Sequence, residues 1–260
     1  MKILFIGDIV GKGGREAAMA LTPVLRREYA CEFCIANAEN IAGGNGLTKN
    51  CLQELFSRGI DVCTAGDHVW DQKEFVTEIE QLTNVLRPAN LPACQPGRGY
   101  GVFTTENGHR IAVLSLLGRT FMTVGANCPF EAAENIIPQI QKETSNIIVD
   151  FHAEATSEKI ALGRFLAGKV SAVLGTHTHV PTADQQIFPG GTAFQCDVGM
   201  VGARESILGR AIQPVLHRFR TGMPARFTVV EKGIRLHAVV VTLNDEGRAV
   251  GIERVMRDLP

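Results

Sequence analysis

"KILFIGDIVGKGGRE", Lys2–Glu16, is the stretch from which the architecture can be read. An apolar run of strand length gives way to glycines and a single carboxylate, Asp8, and then to a helical pattern from about Gly14 to Arg27. A short apolar run followed by 3.6-residue periodicity describes a β-strand feeding an α-helix. The glycines invite a phosphate-cradle reading, and their spacing excludes it. A Walker A loop needs GxxxxGK followed by Ser or Thr. Here the first glycine would fall on Ile6 and the hydroxyl on Gly13. The dinucleotide fingerprint GxGxxG, counted from Gly11 and Gly13, puts its third glycine on Glu16. Lys12 becomes a bystander, and what remains is Asp8 at the end of the first strand.

The same rhythm continues outward. "EFCIANAE" (Glu32–Glu39) precedes a helical pattern from about Thr48 to Arg58, and "IDVCTAGDH" (Ile60–His68) precedes another from Gln72 to about Gln81. Asn107-Gly108 between two strand-like runs predicts a tight type I′ hairpin, which adds an antiparallel part. Two further β/α units follow, with strands in "SNIIVDFHAE" and "VSAVLGTHTH" around a helix from about Ser157 to Ala167. The C-terminal part reads as strands and turns, including "ARFTVVEKGIRLHAVVVTL" with Lys232-Gly233 at its turn. Without an internal repeat or a shift in composition, residues 1–260 are expected to form one α/β domain with two mixed sheets flanked by helices.

Composition limits the function classes. With 26 Lys and Arg against 27 Asp and Glu, the net charge of −1 offers no broad basic face, so no stable nucleic-acid complex is expected. The seven cysteines are scattered among apolar neighbours and fit reduced, buried thiols. Cys31 and Cys34 form a CxxC inside a predicted strand, with no second CxxC to complete a zinc site. No apolar stretch reaches the ~18 residues of a membrane span, and no signal segment is evident, so a cytoplasmic location with no membrane partner is expected.

Polar residues collect where the predicted strands end. "FIGD" ends in Asp8, "ANAEN" in Glu39 and Asn40, "TAGDH" in Asp67 and His68, "VDFHAE" in His152, and "LGTHTH" in His177 and His179. Ligand sites of open α/β sheets lie beyond the carboxyl ends of the strands, where these groups converge. Polar groups against apolar runs are costly to bury without a partner, and a metal supplies one. The mixed N/O set suits Fe, Mn, Zn or Co and is poor for calcium. It also exceeds the three or four protein ligands of one catalytic metal, whereas two metals sharing a carboxylate use them all.

The order Asp, Glu-Asn, G-[N/D]-H, His, G-x-H-x-H resembles the calcineurin-like binuclear metallophosphoesterases. More closely, "GDIVG", "NAENIAGGNG", "GDHVWD", "DFHAEATSEK", "GTHTHVPTAD" and "CDVGMVG" resemble the bacterial YmdB-type branch. The resemblance implies a four-layer αββα sandwich and a site for two divalent or mixed-valence metal ions, often iron, with manganese or zinc as alternatives. It also implies phosphodiesterase activity on cyclic nucleotides, 2′,3′- or 3′,5′-linked, or on similar small phosphodiesters, and assembly as a homo-oligomer. By motif, Asp8, Glu39, Asn40 and His179 hold one metal, Glu39 bridges to the second, and Asp67, His152 and His177 complete that one. His68 is then the catalytic imidazole. The chain departs from the family at Asp67, where members usually carry Asn, and at Val10, where most metallophosphoesterases carry the histidine of a DxH motif. Asn40 compensates for the latter. An aspartate at position 67 adds negative charge and is expected to hold its metal more tightly at lower Lewis acidity.

Such a metal pair lowers the pKa of a shared water and neutralises phosphoryl oxygens. A ribose alkoxide leaves poorly, so protonation by His68 would contribute ~10²- to 10⁴-fold; the alternative is that His68 only orients a ligand. Asn45, Gly46 and Thr48 are candidates to line the substrate side, although Thr48 also has the identity and place of a helix N-cap. Asp197 in "CDVGM" either orients a histidine or forms a turn. Arg218, Arg220 and Arg226 in "HRFRTGMPARF" lie near aromatics as nucleotide contacts would, or belong to a surface loop and strand. Two other functions fit the same residues: a regulatory protein with a weakly active or structural dimetal site, and a phosphomonoesterase.

Overall fold

A computed structural model describes residues 1–259. In chain order the strands are β1 (Lys2–Ile6), β2 (Asp8–Ile9), β3 (Phe33–Asn37), β4 (Val62–Thr64), β5 (Val85–Leu86), β6 (Tyr100–Thr104), β7 (Arg110–Leu117), β8 (Ile147–His152), β9 (Ala172–Thr176), β10 (Gln186–Phe188), β11 (Thr192–Gln195), β12 (Met200–Ala203), β13 (Ile234–Leu243) and β14 (Ala249–Asp258). The helices are α1 (Gly11–Tyr29), α2 (Lys49–Phe56), α3 (Phe75–Glu78), α4 (Pro129–Ile140), α5 (Thr156–Phe165) and α6 (Ile212–Thr221). One sheet runs β2-β12-β13-β1-β3-β4-β5, with β14 paired to β13, and the other runs β10-β11-β9-β8-β7-β6. Both are mixed. β1, β3, β4 and β5 are parallel while β13 is antiparallel to β1, and β7, β8, β9 and β11 are parallel with antiparallel edges at β6 and β10.

The strands alternate their side chains between two apolar layers, which stacks the sheets. In β1, Ile3 and Phe5 join Phe33, Ile35, Val113, Ile148 and Leu174 in a core between the two sheets. Leu4 and Ile6 face the other way, into a core with Ala17, Leu21 and Leu25 of α1 and Leu52 and Leu55 of α2. On the second sheet, Val149, Phe151 and Val173 face away from the central core and pack with Ala133 and Ile137 of α4 and Leu162 of α5. The result is the four-layer αββα sandwich, built because each parallel strand is buried on both faces.

Local structure differs from the sequence pattern at several places. α1 begins at Gly11 rather than Gly14, and its glycines sit against backbone: a Cβ on Gly13 would lie 2.8 Å from the Glu231 carbonyl oxygen, and one on Gly14 2.5 Å from that of Val201. Over Gln72–Gln81 only α3 and a 3₁₀ turn at Ile79–Gln81 form. Asn107-Gly108 is not a two-residue type I′ turn. Gly108 alone adopts positive φ, 83°, and a five-residue connection is closed by Thr105 and His109, whose backbones pair at 2.9 Å. Asn107 and His109 both turn to Glu32 Oε2, at 2.9 and 2.8 Å, and this favours the wider loop. Residues 225–230 are not a strand; Val229 makes one isolated bridge to Arg210. "HRFRTGMPARF" starts inside α6, which Gly222 ends at φ 71°, so the surface-loop-and-strand reading is corrected there to a helix followed by a loop. Cys31 and Cys34 are free, buried thiols. Among the described residues, no helix is long and apolar enough to cross a membrane.

Candidate metal centre

The parallel strands of both sheets end at the same edge, and that edge brings the candidate residues together. Asp8 starts β2, Glu39 and Asn40 follow β3, Asp67 and His68 follow β4, His152 ends β8, and His177 and His179 follow β9. The backbone after β9 bends unusually to do this, with His177 at φ 101° and His179 at φ 64°. Side chains other than glycine occupy this region only when surrounding contacts hold them there. Those contacts are present. Asp8 Oδ2 accepts the His177 N–H at 3.1 Å, and Asp197 Oδ2 accepts the Thr178 N–H at 3.0 Å.

Two neighbouring groups form around Glu39. Donor atoms of Glu39, Asp67, His152 and His177 all lie within 4.8 Å of one another. His152 Nε2 is 3.0 Å from Asp67 Oδ1, 3.2 Å from Glu39 Oε1 and 3.0 Å from His177 Nδ1. On the other side of Glu39, Asn40 Nδ2 donates to Glu39 Oε1 at 3.2 Å and approaches His179 Nε2 at 3.4 Å, while His179 Nε2 lies 3.7 Å from Asp8 Oδ1. Rotating the Asn40 amide by half a turn would bring its oxygen to the same place.

These residues fit a metal. Asp8 is fully buried, and its Oδ1 has no hydrogen-bond partner among the described residues. Burial pushes its pKa up to about 7, with Glu39 and Asp197 adding to the shift and His152 opposing it. An orphaned carboxylate oxygen beside another carboxylate and facing imidazole nitrogens is stabilised by a cation. His152 and His177 present nitrogens to each other across 3.0 Å, and a metal would accept both lone pairs. Burial would lower the pKa of His152, but Glu39, Asp67 and Asp8 overcome it and raise it well above the usual value. Burial likewise works against Asp67, yet hydrogen bonds with His152 and His177 hold it well below the ordinary carboxylate range. His179 has less compensation, and burial lowers it to about 4, leaving a neutral imidazole able to ligate.

Outer residues orient the inner ones. His177 Nε2 meets Glu154 Oε2 at 3.1 Å, which leaves Nδ1 facing the cluster. His152 Nδ1 meets Thr176 Oγ1 at 2.9 Å, and Thr176 Oγ1 donates to Asp150 Oδ1 at 2.7 Å. Asp150 also accepts hydrogen bonds from Asn37 and Thr64, so one buried carboxylate joins the two sheets beneath the cluster. Such supports fix ring orientation and tautomer. Among the described residues, Asp197 bonds to no imidazole. It accepts Thr178 N–H, Gly199 N–H at 2.8 Å and the buried Lys159 ammonium at 2.8 Å, and so steadies the backbone between the two histidines while forming a turn.

His68 stands at the rim. Its Nδ1 meets Asp71 Oδ2 at 2.8 Å, and its backbone N–H donates to Glu39 Oε2 at 3.1 Å. Burial would lower its pKa, but Glu39, Asp67 and Asp71 together raise it. A cavity of about 310 Å³ opens over the centre, lined by Glu39, Asn40, His68, Glu154, His177, His179, Leu208 and Arg210 among others. Asn45 lies beside it, joined to Asp71 at 3.4 Å and to Arg210. Thr48 is not among the lining residues; it caps α2, accepting the Cys51 N–H at 3.4 Å. Gly46 packs on Gln72, where a Cβ would meet Cγ at 2.8 Å. Arg218, Arg220 and Arg226 are exposed and absent from the lining. Sequence reasoning missed Asp71, Asp150, Glu154 and Arg210. The first three lie inside the quoted motifs "GDHVWD" and "DFHAEATSEK" and were legible as polar neighbours of the named residues; Arg210 sits in no quoted motif.

A family model described as YmdB-like protein matches residues 4–255. The chain is 46% identical to the 2′,3′-cyclic-nucleotide 2′-phosphodiesterase of Bacillus subtilis (strain 168), over 98% of this chain and 97% of that one. A solved structure described as a novel phosphatase, from Mycoplasma pneumoniae, superposes with a TM-score of 0.92 at 31% identity, covering 99% of this chain and 93% of that one. A Thermus thermophilus protein solved as hypothetical superposes with the same TM-score, 0.92, at 38% identity and full coverage of both chains. The sandwich, the residues gathered at its strand ends and these near full-length matches agree: this chain belongs to the YmdB-like family and has the metallophosphoesterase fold.

Proposed function

We propose that residues 1–260 act as one metal-dependent phosphodiesterase domain that opens cyclic nucleotides, 2′,3′- or 3′,5′-linked, or similar small phosphodiesters. The observation that carries this reading is the buried Asp8 carboxylate, orphaned at Oδ1, beside the Glu39–Asp67–His152–His177 cluster on the floor of an open cavity. Asp8, Glu39, Asn40 and His179 would hold one metal, and Asp67, His152 and His177, with Glu39 shared, the second. The donor set suits iron, with manganese or zinc as alternatives. When bound, such a pair supplies Lewis acidity toward the phosphoryl oxygens and a water of lowered pKa.

The chain's own groups do the rest. Asp71 engages His68 Nδ1, so Nε2 is the nitrogen left to meet a ligand, and nearby carboxylates favour its protonated form. His68 then donates that proton to the departing ribose oxygen, the step an alkoxide most needs. Glu154 and Thr176 keep His177 and His152 from rotating out of the cluster. Leu208, at φ 51°, contributes apolar surface to the cavity wall.

Metal-loaded protein assayed on bis(p-nitrophenyl) phosphate, p-nitrophenyl phosphate and a panel of cyclic nucleotides tests the reading. Diester turnover abolished by Asp8→Ala is expected; preference for the monoester, or no turnover with both metals bound, would overturn it. His68→Ala is expected to keep its metals and lose ~10²- to 10⁴-fold in kcat on cyclic nucleotides, with a smaller loss on the p-nitrophenyl diester, whose leaving group needs no proton. Equal losses on both would remove His68 as the acid.

A further inference from the structure

Among the described residues, Arg210 is the one Lys or Arg side chain lining the cavity over the centre. It makes no ion pair among the described residues, although it is partly withdrawn from water. Instead its Nη2 donates to the Gly44 carbonyl oxygen at 2.7 Å and to Asn45 Oδ1. A guanidinium has five N–H donors, and Nη2 carries two of them. Nε and Nη1 therefore remain without a protein acceptor among the described residues.

The placement is built rather than incidental. Arg210 pairs with Ile207 through backbone bonds of 2.8 and 2.9 Å, and it bridges to Val229. Gly44, at φ 97°, lets the side chain lie against its loop: a Cβ there would fall 2.6 Å from Arg210 Nη1 and 2.5 Å from Val229 Cγ2. Asn45 in turn donates to Asp71 at 3.4 Å, and Asp71 meets His68 at 2.8 Å. Arg210 is thus tied to the rim on the side of His68, the side the proposed reaction gives to the leaving group, and not to the buried carboxylates and imidazoles that would hold the metals.

We infer that Arg210 determines specificity by binding a second phosphate on the leaving-group side, so that the preferred substrate is a 2′,3′-cyclic nucleotide carrying a phosphate on its 5′ oxygen, free or as the next diester of a short oligoribonucleotide. A planar guanidinium with open donors on two nitrogens matches phosphate bidentately. The held amide of Asn45 and the carbonyl of Gly44 hold its Nη2 without neutralising its charge. This rests on the phosphodiesterase reading above.

The test compares adenosine 2′,3′-cyclic phosphate, its 5′-phosphorylated form and the dinucleotide ApA ending in a 2′,3′-cyclic phosphate, on metal-loaded protein. The wild type is expected to show kcat/KM about tenfold or more higher for the substrates with a second phosphate, mostly through KM, a charge-assisted pair of about 1.4 kcal/mol or more. Equal gains for the two identify the phosphate as the feature read; a gain for one alone says whether a free phosphate or a diester is the source. Arg210→Gln, which keeps an N–H for Gly44, should bring the ratio to within about twofold of one, and Arg210→Lys should retain part of it. A wild-type ratio near one, or a ratio unchanged in both variants, overturns the inference. Absence of turnover on bis(p-nitrophenyl) phosphate would instead strike the phosphodiesterase reading, so the two failures are separable.

Discussion

At the scale of single residues, Asp8 and Asp67 show how burial and charge shape the centre. The pKa of Asp8 rises from its ordinary 3.8 to about 7 in the metal-free fold, chiefly through burial. The folded chain therefore keeps a proton that the unfolded chain releases, and metal-free stability falls as pH rises from about 4 to about 7, with no further loss from this group above that. At 1.36 kcal/mol per pKa unit the full effect is at most about 4 kcal/mol. Asp8→Asn in metal-free protein is expected to raise stability at pH 8 and to lose that advantage near pH 4, measured by urea midpoints. A difference independent of pH would contradict the assignment. Asp67 contributes a charge where Asn would contribute a neutral amide, and its Oδ1 lies 3.0 Å from His152 Nε2. Asp67→Asn is expected to release metal about tenfold more readily to a chelator and to raise turnover once loaded. Unchanged retention and unchanged kcat/KM together would show that the charge has no consequence.

At the scale of elements, the strand ends work because loops approach one another more closely than side chains would allow. A Cβ on Gly66, just after β4, would lie 2.1 Å from His152 Cδ2 and 2.4 Å from its Nε2, so only glycine lets the β4 loop pass the ring that ends β8. Gly66→Ala is expected to displace His152, cost about 1–3 kcal/mol and lower bound metal, read by thermal melts and metal analysis. Full metal content in a stable variant would refute this. Gly175 plays the same part at the end of β9, where a Cβ would come within 1.7 Å of the Cys196 carbonyl oxygen. The glycines of Lys2–Glu16 belong to this class as well. They admit backbone close to α1 and leave Asp8 pointing into the centre, with no phosphate cradle of their own.

At the scale of the whole molecule, the centre is where two sheets meet, and Asp150 is the joint. It takes hydrogen bonds from Asn37 of β3, Thr64 of β4 and Thr176 of β9, in a site closed to solvent. Asp150→Asn is expected to cost about 2–3 kcal/mol, because an amide cannot accept from all three donors, and to weaken metal binding about 10- to 100-fold by loosening Thr176 and His152. Stability and metal affinity both within error of the wild type would refute the role. The sandwich and the identities gathered at its edge were legible because they rest on local regularities: apolar runs buried on both faces, helices between them, and polar groups at strand ends. Turns were less legible. The Asn107-Gly108 loop opened because Glu32, distant in sequence, binds both Asn107 and His109, and residues 225–230 form no strand, Val229 making a single bridge to Arg210 while its side chain lies against Gly11 and Gly44. The groups around the rim and beneath the centre are the least local of all. Glu154 matters only once His177 turns toward it, and Arg210 only once the Gly44–Asn45 loop receives it. The sequence alone determined which side chains reach the edge, since strand length and period place them. Only the tertiary structure decided which of them touch, because those contacts join segments far apart in the chain through backbone angles and close approaches that no local pattern records.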